Sequence, residues 1–289
     1  MYKGAFLSGF IALAICALSA CDVATTAGSD ITDSTKIVST NGTLSEILVA
    51  LGFEDQIVGV DVASTYPASL QQKPKIGHNR DISAEGVLAL NADLAVGVTD
   101  MVKPQVAEQI RAAGTRLVLF DHDYSVAGAK QLIRAVADSL DRSAKGDSIL
   151  SVLDADLALA DSVVAQSQSK PKVLFIYARG TGTMMVAGQR TQLDEMITLA
   201  GGENAVSGFE DFKPLTAESL VAANPDVILL FDSGLSSLGG IDGLLEVQGI
   251  SETNAGRNRK VVEMDGQFLT GFGPRLGKAI IELAEKIHE

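Results

Sequence analysis

The side chains able to do chemistry in this 289-residue chain are few, and they match no common catalytic pattern. The three histidines, His78, His122 and His288, are scattered along the chain. A zinc or manganese site needs histidines and carboxylates that converge, and this spacing does not offer one. No GxSxG, no P-loop and no GxGxxG after a strand occurs, so an α/β enzyme would lack a visible nucleophile or cofactor cradle. Asp93 and Asp226 each precede an apolar run and read as turn residues rather than as an acid/base pair. Tyr66 precedes Pro67, which biases it toward extended backbone at a loop end. Alone, it reads as an amphipathic side chain packed on the body. With an arginine close by, and Arg80 is a candidate, its phenol would favour the phenolate, a hard oxygen donor.

Positioning such residues falls to elements that the chain repeats. Residues 82–94 (ISAEGVLALNADL) align without a gap on residues 215–227 (LTAESLVAANPDV). They share Ala84/Ala217, Glu85/Glu218, Ala89/Ala222, Asn91/Asn224 and Asp93/Asp226. Each copy opens on a hydroxyl residue, Ser83 or Thr216, suited to cap a helix. Each places a glutamate in the first helical turn, where the helix dipole favours it by about 0.3–1 kcal/mol. Each then turns into an apolar strand, LAVGV or VILLF. Two similar α/β halves imply a cleft between them, a usual place for a small ligand.

Between these copies the chain alternates strand-like and helix-like runs, which implies parallel sheets covered by helices. Residues 147–166 lack Pro and Gly and carry apolar residues at helical spacing, which predicts one long helix. The fold class is therefore α/β: two Rossmann-like lobes with mainly parallel sheets, joined by a single long α-helix. The lobes are placed at 35–143 and 169–289 and the linking helix at 144–168.

The N-terminus carries an address. Lys3 and the apolar run Ala5–Leu18 form a signal-peptide pattern too short for a comfortable membrane span. It ends in Leu18-Ser19-Ala20-Cys21, which resembles a bacterial lipobox. Residues 1–20 then read as a signal peptide, Cys21 as the lipidated residue and 21–34 as a flexible tether. Cys16 and Cys21 are the two cysteines, so the body has no thiol to pair. The net charge of −13 argues against nucleic acid as a partner.

At this point the sequence resembles a family. A lipobox, a lobe, a long helix and a second lobe look like the helical-backbone substrate-binding proteins of bacterial ABC importers, which bind haem, iron chelates or cobalamin. Val58-Gly59-Val60-Asp61, Ser64-Thr65-Tyr66-Pro67, Lys75-Ile76-Gly77 and Gly271-Phe272-Gly273-Pro274-Arg275 are similar to the hemin-binding, HmuT-like branch. The resemblance spans nearly all of residues 36–289. It implies a non-enzymatic carrier in iron acquisition that binds haem b as transported ligand in the inter-lobe cleft and passes it to an ABC permease and its ATPase. It also implies a location on the periplasmic side of the inner membrane, lipid-anchored, or at the cell surface in a Gram-positive cell.

By the same resemblance Tyr66 ligates the haem iron, and Arg80, His78, Arg179 and His122 are candidates for haem contact or the second axial position. Arg179 stands where the family often carries a histidine, and Ser233 where it often carries an arginine. Arginine stays protonated and would bind a propionate instead. Glu85 and Glu218 match the acidic residues that dock the family onto the permease. The alternatives are a ferric-siderophore or cobalamin carrier of the same class and, more remotely, an α/β enzyme. The absence of Trp and an aromatic content of 5% weaken the siderophore and cobalamin readings.

Overall fold

The structure, a computed structural model, describes Met1 and residues 31–289. Cys16, Cys21, the signal pattern and most of the expected tether lie outside the described residues.

The first lobe contains β1 (Ile37–Ser39), α1 (Gly42–Leu51), β2 (Ile57–Val60), β3 (Gly77–His78), β4 (Asp81–Ile82), α2 (Ala84–Leu88), β5 (Leu94–Val98), α3 (Pro104–Ala112), β6 (Arg116–Phe120) and α4 (Val126–Ser139). Helix α5 (Ser143–Ala165) leads to the second lobe. That lobe contains β7 (Lys172–Ala178), β8 (Met184–Ala187), α6 (Gln192–Leu199), β9 (Glu203–Asn204), β10 (Phe212–Pro214), α7 (Ala217–Ala223) and β11 (Val227–Phe231). It continues through α8 (Asp232–Ser237), α9 (Gly240–Leu245), α10 (Asn254–Asn258), β12 (Val261–Met264), α11 (Gly266–Thr270) and α12 (Leu276–His288).

The two sheets share a plan. The first is wholly parallel, in the order β2-β1-β5-β6. The second runs β10-β8-β7-β11-β12, with β9 also paired to β7. Its β7, β11 and β12 are parallel, whereas β8 pairs antiparallel with both of its neighbours, β7 and β10. The sheet is thus mixed, and the sequence pattern did not foretell its antiparallel edge. Those strands are three or four residues long, too short to show a period of two.

The repeat explains why the lobes match. Ser83 and Thr216 each cap their helix, accepting from the Gly86 and Ser219 N–H groups. Asn91 and Asn224 both take left-handed backbone (φ 48° and 40°), a conformation asparagine tolerates better than most residues. Asp93 Oδ2 accepts the Lys36 N–H at 2.8 Å, and Asp226 Oδ2 accepts the Lys172 N–H at 3.0 Å. Each aspartate therefore fixes the start of its lobe's first strand beside the strand that follows the repeat. The registers agree: Ile37 pairs with Leu94, and Val173 pairs with Val227.

One hydrophobic core runs through both lobes, from Ile37, Leu44 and Leu132 past Leu153 of α5 to Phe175, Leu229 and Leu283. Fully burying each such side chain contributes about 1.5–3 kcal/mol. Helix α5 begins earlier than its Pro- and Gly-free stretch, with Gly146 inside it and buried. Its inward stripe is Leu150, Leu153 and Ala160, whereas Leu159 falls off that stripe and is exposed. Helix α12 packs along α5 so closely that a Cβ on Gly277 would lie 2.6 Å from the Asp156 Cβ. Among the described residues, no helix is long and apolar enough to cross a membrane.

Candidate functional site

Between the lobes lies a cavity of about 830 Å³. Its walls are the loops that follow the carboxyl ends of the parallel strands. Asn41 follows β1, Ala63 and Thr65 follow β2, Met101 follows β5, and His122 and Tyr124 follow β6. From the other lobe come Tyr177 and Arg179 at the end of β7, Asp232 and Ser233 after β11, and Asp265–Gln267 after β12. Strand carboxyl ends are where open α/β sheets hold ligands, because the loops there are free to vary.

Both walls are largely apolar. On the second lobe the Phe231 ring lies 4.9 Å from Phe175 and 6.3 Å from Tyr177, both edge-on, with Met185 and Phe212 alongside. On the first lobe the His122 ring lies 4.7 Å from Tyr124, which meets Phe272 edge-on at 5.7 Å. Such walls suit a flat, largely apolar ligand, with a few polar groups to orient it.

The polar groups are distinctive. Among the described residues neither ring nitrogen of His122 has a hydrogen-bond partner. Burial holds its pKa below the usual histidine range, against the opposing Phe272 backbone and Asp123, which favours the neutral ring. Burial raises the Tyr124 phenol above its usual range, with Arg80 pulling it down and Asp100 up. His78 is exposed on the cavity wall, and its Nδ1 accepts the Arg80 N–H at 3.3 Å. Arg179 is exposed, with its guanidinium carbon 5.7 Å from the Tyr177 ring centre.

The structure thus brings His78, Arg80, His122 and Arg179 to one cavity. Tyr66 sits differently: it is 44% exposed and is not among the residues that line the cavity, although Thr65 is. The arginine set against its ring is Arg275, at 3.6 Å, whereas Arg80 acts on Tyr124. The Tyr66 N–H is held by Gln267 Oε1 at 2.9 Å. The loop before it is pinned by buried Asp61, which accepts from the Ser64 hydroxyl and from the Ala63 N–H at 3.1 Å. Burial raises the Asp61 pKa, and these two donors oppose that rise. Glu85 and Glu218 are exposed in the first turns of α2 and α7.

Sequence reasoning did not single out Tyr177, Gln267, Met101 or Phe231, all of which line the cavity, and it held Arg275 only as part of a motif. The one readable signal was position: Tyr177 and Phe231 end apolar strands whose carboxyl ends had to face a cleft.

Comparison with known proteins agrees with this geometry. The model of the periplasmic binding protein family matches residues 37–268. The periplasmic haem-binding protein RhuT from Roseiflexus sp. RS-1 is 41% identical, with a TM-score of 0.85 over 88% of this chain and 98% of that one. The periplasmic haem-binding protein BhuT, solved with two haems, is 39% identical, with a TM-score of 0.83 over 88% and 97%. The haem-binding protein HmuT is 32% identical, with a TM-score of 0.80 over 89% and 86%. HmuT has also been solved as three single alanine variants, of a histidine, a tyrosine and an arginine. This chain belongs to the periplasmic binding protein family.

Proposed function

We propose that this periplasmic binding protein is the haem-capturing component of an ABC importer, with His78 and Tyr177 as the axial ligands of ferric haem. The observation that carries the reading is the pairing of these two side chains on opposite walls of one apolar cavity. A spacing supports it. The histidine and tyrosine replaced in the HmuT variants lie 99 positions apart, and the arginine lies two beyond the tyrosine. His78, Tyr177 and Arg179 repeat that spacing here. A phenolate oxygen and an imidazole nitrogen are both suitable ligands for haem iron. Arg179 and Arg80, one from each lobe, would pair with propionates. His122, half-buried beside Tyr124 on the cavity wall, is the reserve ligand on the first wall.

Tyr66 then serves the rim rather than the iron, because its backbone is tied to Gln267 and its ring lies against Arg275. Glu85 and Glu218, exposed at equivalent helix starts, would dock the permease. Cys21 would carry the lipid that holds the protein on the periplasmic side of the inner membrane.

Hemin titration of the protein and its variants tests this. A saturable Soret change with a tyrosinate charge-transfer band is expected, lost in Tyr177→Ala and altered in His78→Ala. Loss in Tyr66→Ala with survival in Tyr177→Ala would move the ligand to the rim. The absence of any saturable change would refute haem as cargo and leave siderophores and cobalamin to be tried. Glu85→Ala combined with Glu218→Ala should abolish uptake while leaving hemin binding intact.

A further inference from the structure

Gln267 has an unusual set of partners for a residue that lines a ligand cavity. Its Oε1 accepts three hydrogen bonds, from the Thr65 N–H at 2.7 Å, the Thr65 hydroxyl at 2.9 Å and the Tyr66 N–H at 2.9 Å. Its Nε2 donates to the Gly42 carbonyl at 2.9 Å. An amide oxygen has two lone pairs, so three donors leave it nothing to offer a ligand. Gln267 lies on α11 of the second lobe, and all its partners lie in the first, at the start of α1 and in the loop after β2.

Two further bridges cross the same boundary. The Thr43 hydroxyl donates to the Gly271 carbonyl at 2.6 Å, and Arg275 pairs with Glu46 at 2.8 Å. Thr43, Thr65, Gln267 and Gly271 all line the cavity, so this seam is its floor. The packing there is tight: a Cβ on Gly273 would lie 2.8 Å from the Thr43 Cγ2.

We propose that Gln267 is a positioning residue, whose amide latches the cavity floor and sets the gap between the wall carrying His78 and the wall carrying Tyr177. The inference rests on the two-sided ligation proposed above. Metal–ligand distances tolerate only about 0.2 Å, so two ligands from separate lobes require a fixed gap. A latch made by the protein alone provides it before the ligand arrives, which is preorganisation.

The test uses Gln267→Leu, which removes every latch hydrogen bond, and Gln267→Glu, which keeps the acceptor. In the ligand-free protein, spin labels on the two lobes should give one narrow distance distribution that broadens in Gln267→Leu. Exchange of the Thr65 and Tyr66 amide hydrogens should accelerate at least about tenfold, the loss of roughly one net hydrogen bond. With hemin, Gln267→Leu should shift from a six-coordinate to a five-coordinate spectrum and release hemin about tenfold faster, with Gln267→Glu in between. Unchanged distances, exchange and coordination, with only the melting temperature lowered, would overturn the latch. The ligation reading fails separately, if His78→Ala and Tyr177→Ala leave the wild-type spectrum unaltered. The ligand-free readouts then still decide for or against the latch.

Discussion

Replacing Arg275 by alanine should destabilise the protein strongly at neutral pH and, in acid, by only about 0.5–1 kcal/mol, the loss of its ring stacking. The Glu46 side chain is 9% exposed and that of Arg275 is 20% exposed, so the pair is largely out of water. Arg275 donates to Glu46 Oε2 at 2.8 Å, while among the described residues Glu46 Oε1 has no partner. The guanidinium also lies 3.6 Å from the Tyr66 ring centre and 4.8 Å from that of Phe268. Removing one partner of a buried ion pair costs about 3–5 kcal/mol, because the other charge is stranded. Loss of the stacked cation adds about 0.5–1 kcal/mol. At about 2–4 °C per kcal/mol for a protein of this size, the melting temperature should fall by roughly 10 °C.

The sign of the pH dependence follows from Glu46. Burial raises its folded pKa above the unfolded value of 4.5, and Arg275 is the main opposing influence. Without Arg275 the folded pKa climbs further. A carboxyl with a raised folded pKa is best tolerated below its unfolded pKa, where both states are protonated, and costs stability as pH rises through the window above it. The gap between wild type and Arg275→Ala should therefore open from about pH 4.5 upward and be widest at pH 7–8. Thermal or denaturant melts at pH 4 and pH 7.5 measure it, and Glu46→Gln in the Arg275→Ala background should recover most of the loss. A gap under about 1 kcal/mol at pH 7.5, or one that grows in acid, would refute the buried-pair argument.

Three more outcomes follow. His122→Phe should leave the ligand-free protein within about 1 kcal/mol of wild type, since among the described residues neither ring nitrogen has a hydrogen-bond partner to lose. Because burial depresses the His122 pKa below 6.5, wild type should lose stability as pH falls through 6.5, and this variant should lose less, as urea melts at pH 5.5 and 7.5 would show. Asp93→Ala and Asp226→Ala should each cost about 1–3 kcal/mol in denaturant melts, Asp226→Ala the more, because its Oδ1 also accepts from Asn254 Nδ2 at 2.9 Å. Gly277→Val should force α12 off α5 and cost about 1–3 kcal/mol or more by calorimetry, given a Cβ contact of 2.6 Å.

These predictions divide into those whose cause is local and those whose cause is not. The repeat itself was readable because a helix-capping hydroxyl, a first-turn glutamate and a strand-start aspartate all lie within one short stretch, although Asp93 and Asp226 read there only as turn residues and the structure gave them their hold on Lys36 and Lys172. The two-lobed fold was readable for the same reason, since the stretch occurs twice. Which tyrosine lines the cavity was not. Tyr66 and Tyr177 both end an extended run beside a possible arginine, and nothing local says which ring meets the cavity. What separates them is a hydrogen bond between residues 201 positions apart, Tyr66 to Gln267, and the arginine that lies against the ring. Periodicity reports which face of an element is apolar. It carries no information about which loop of one lobe a glutamine of the other will hold. The seam between the lobes is built wholly of such long-range contacts, so the site's walls could be placed from sequence while its floor and the direction of Tyr66 could not.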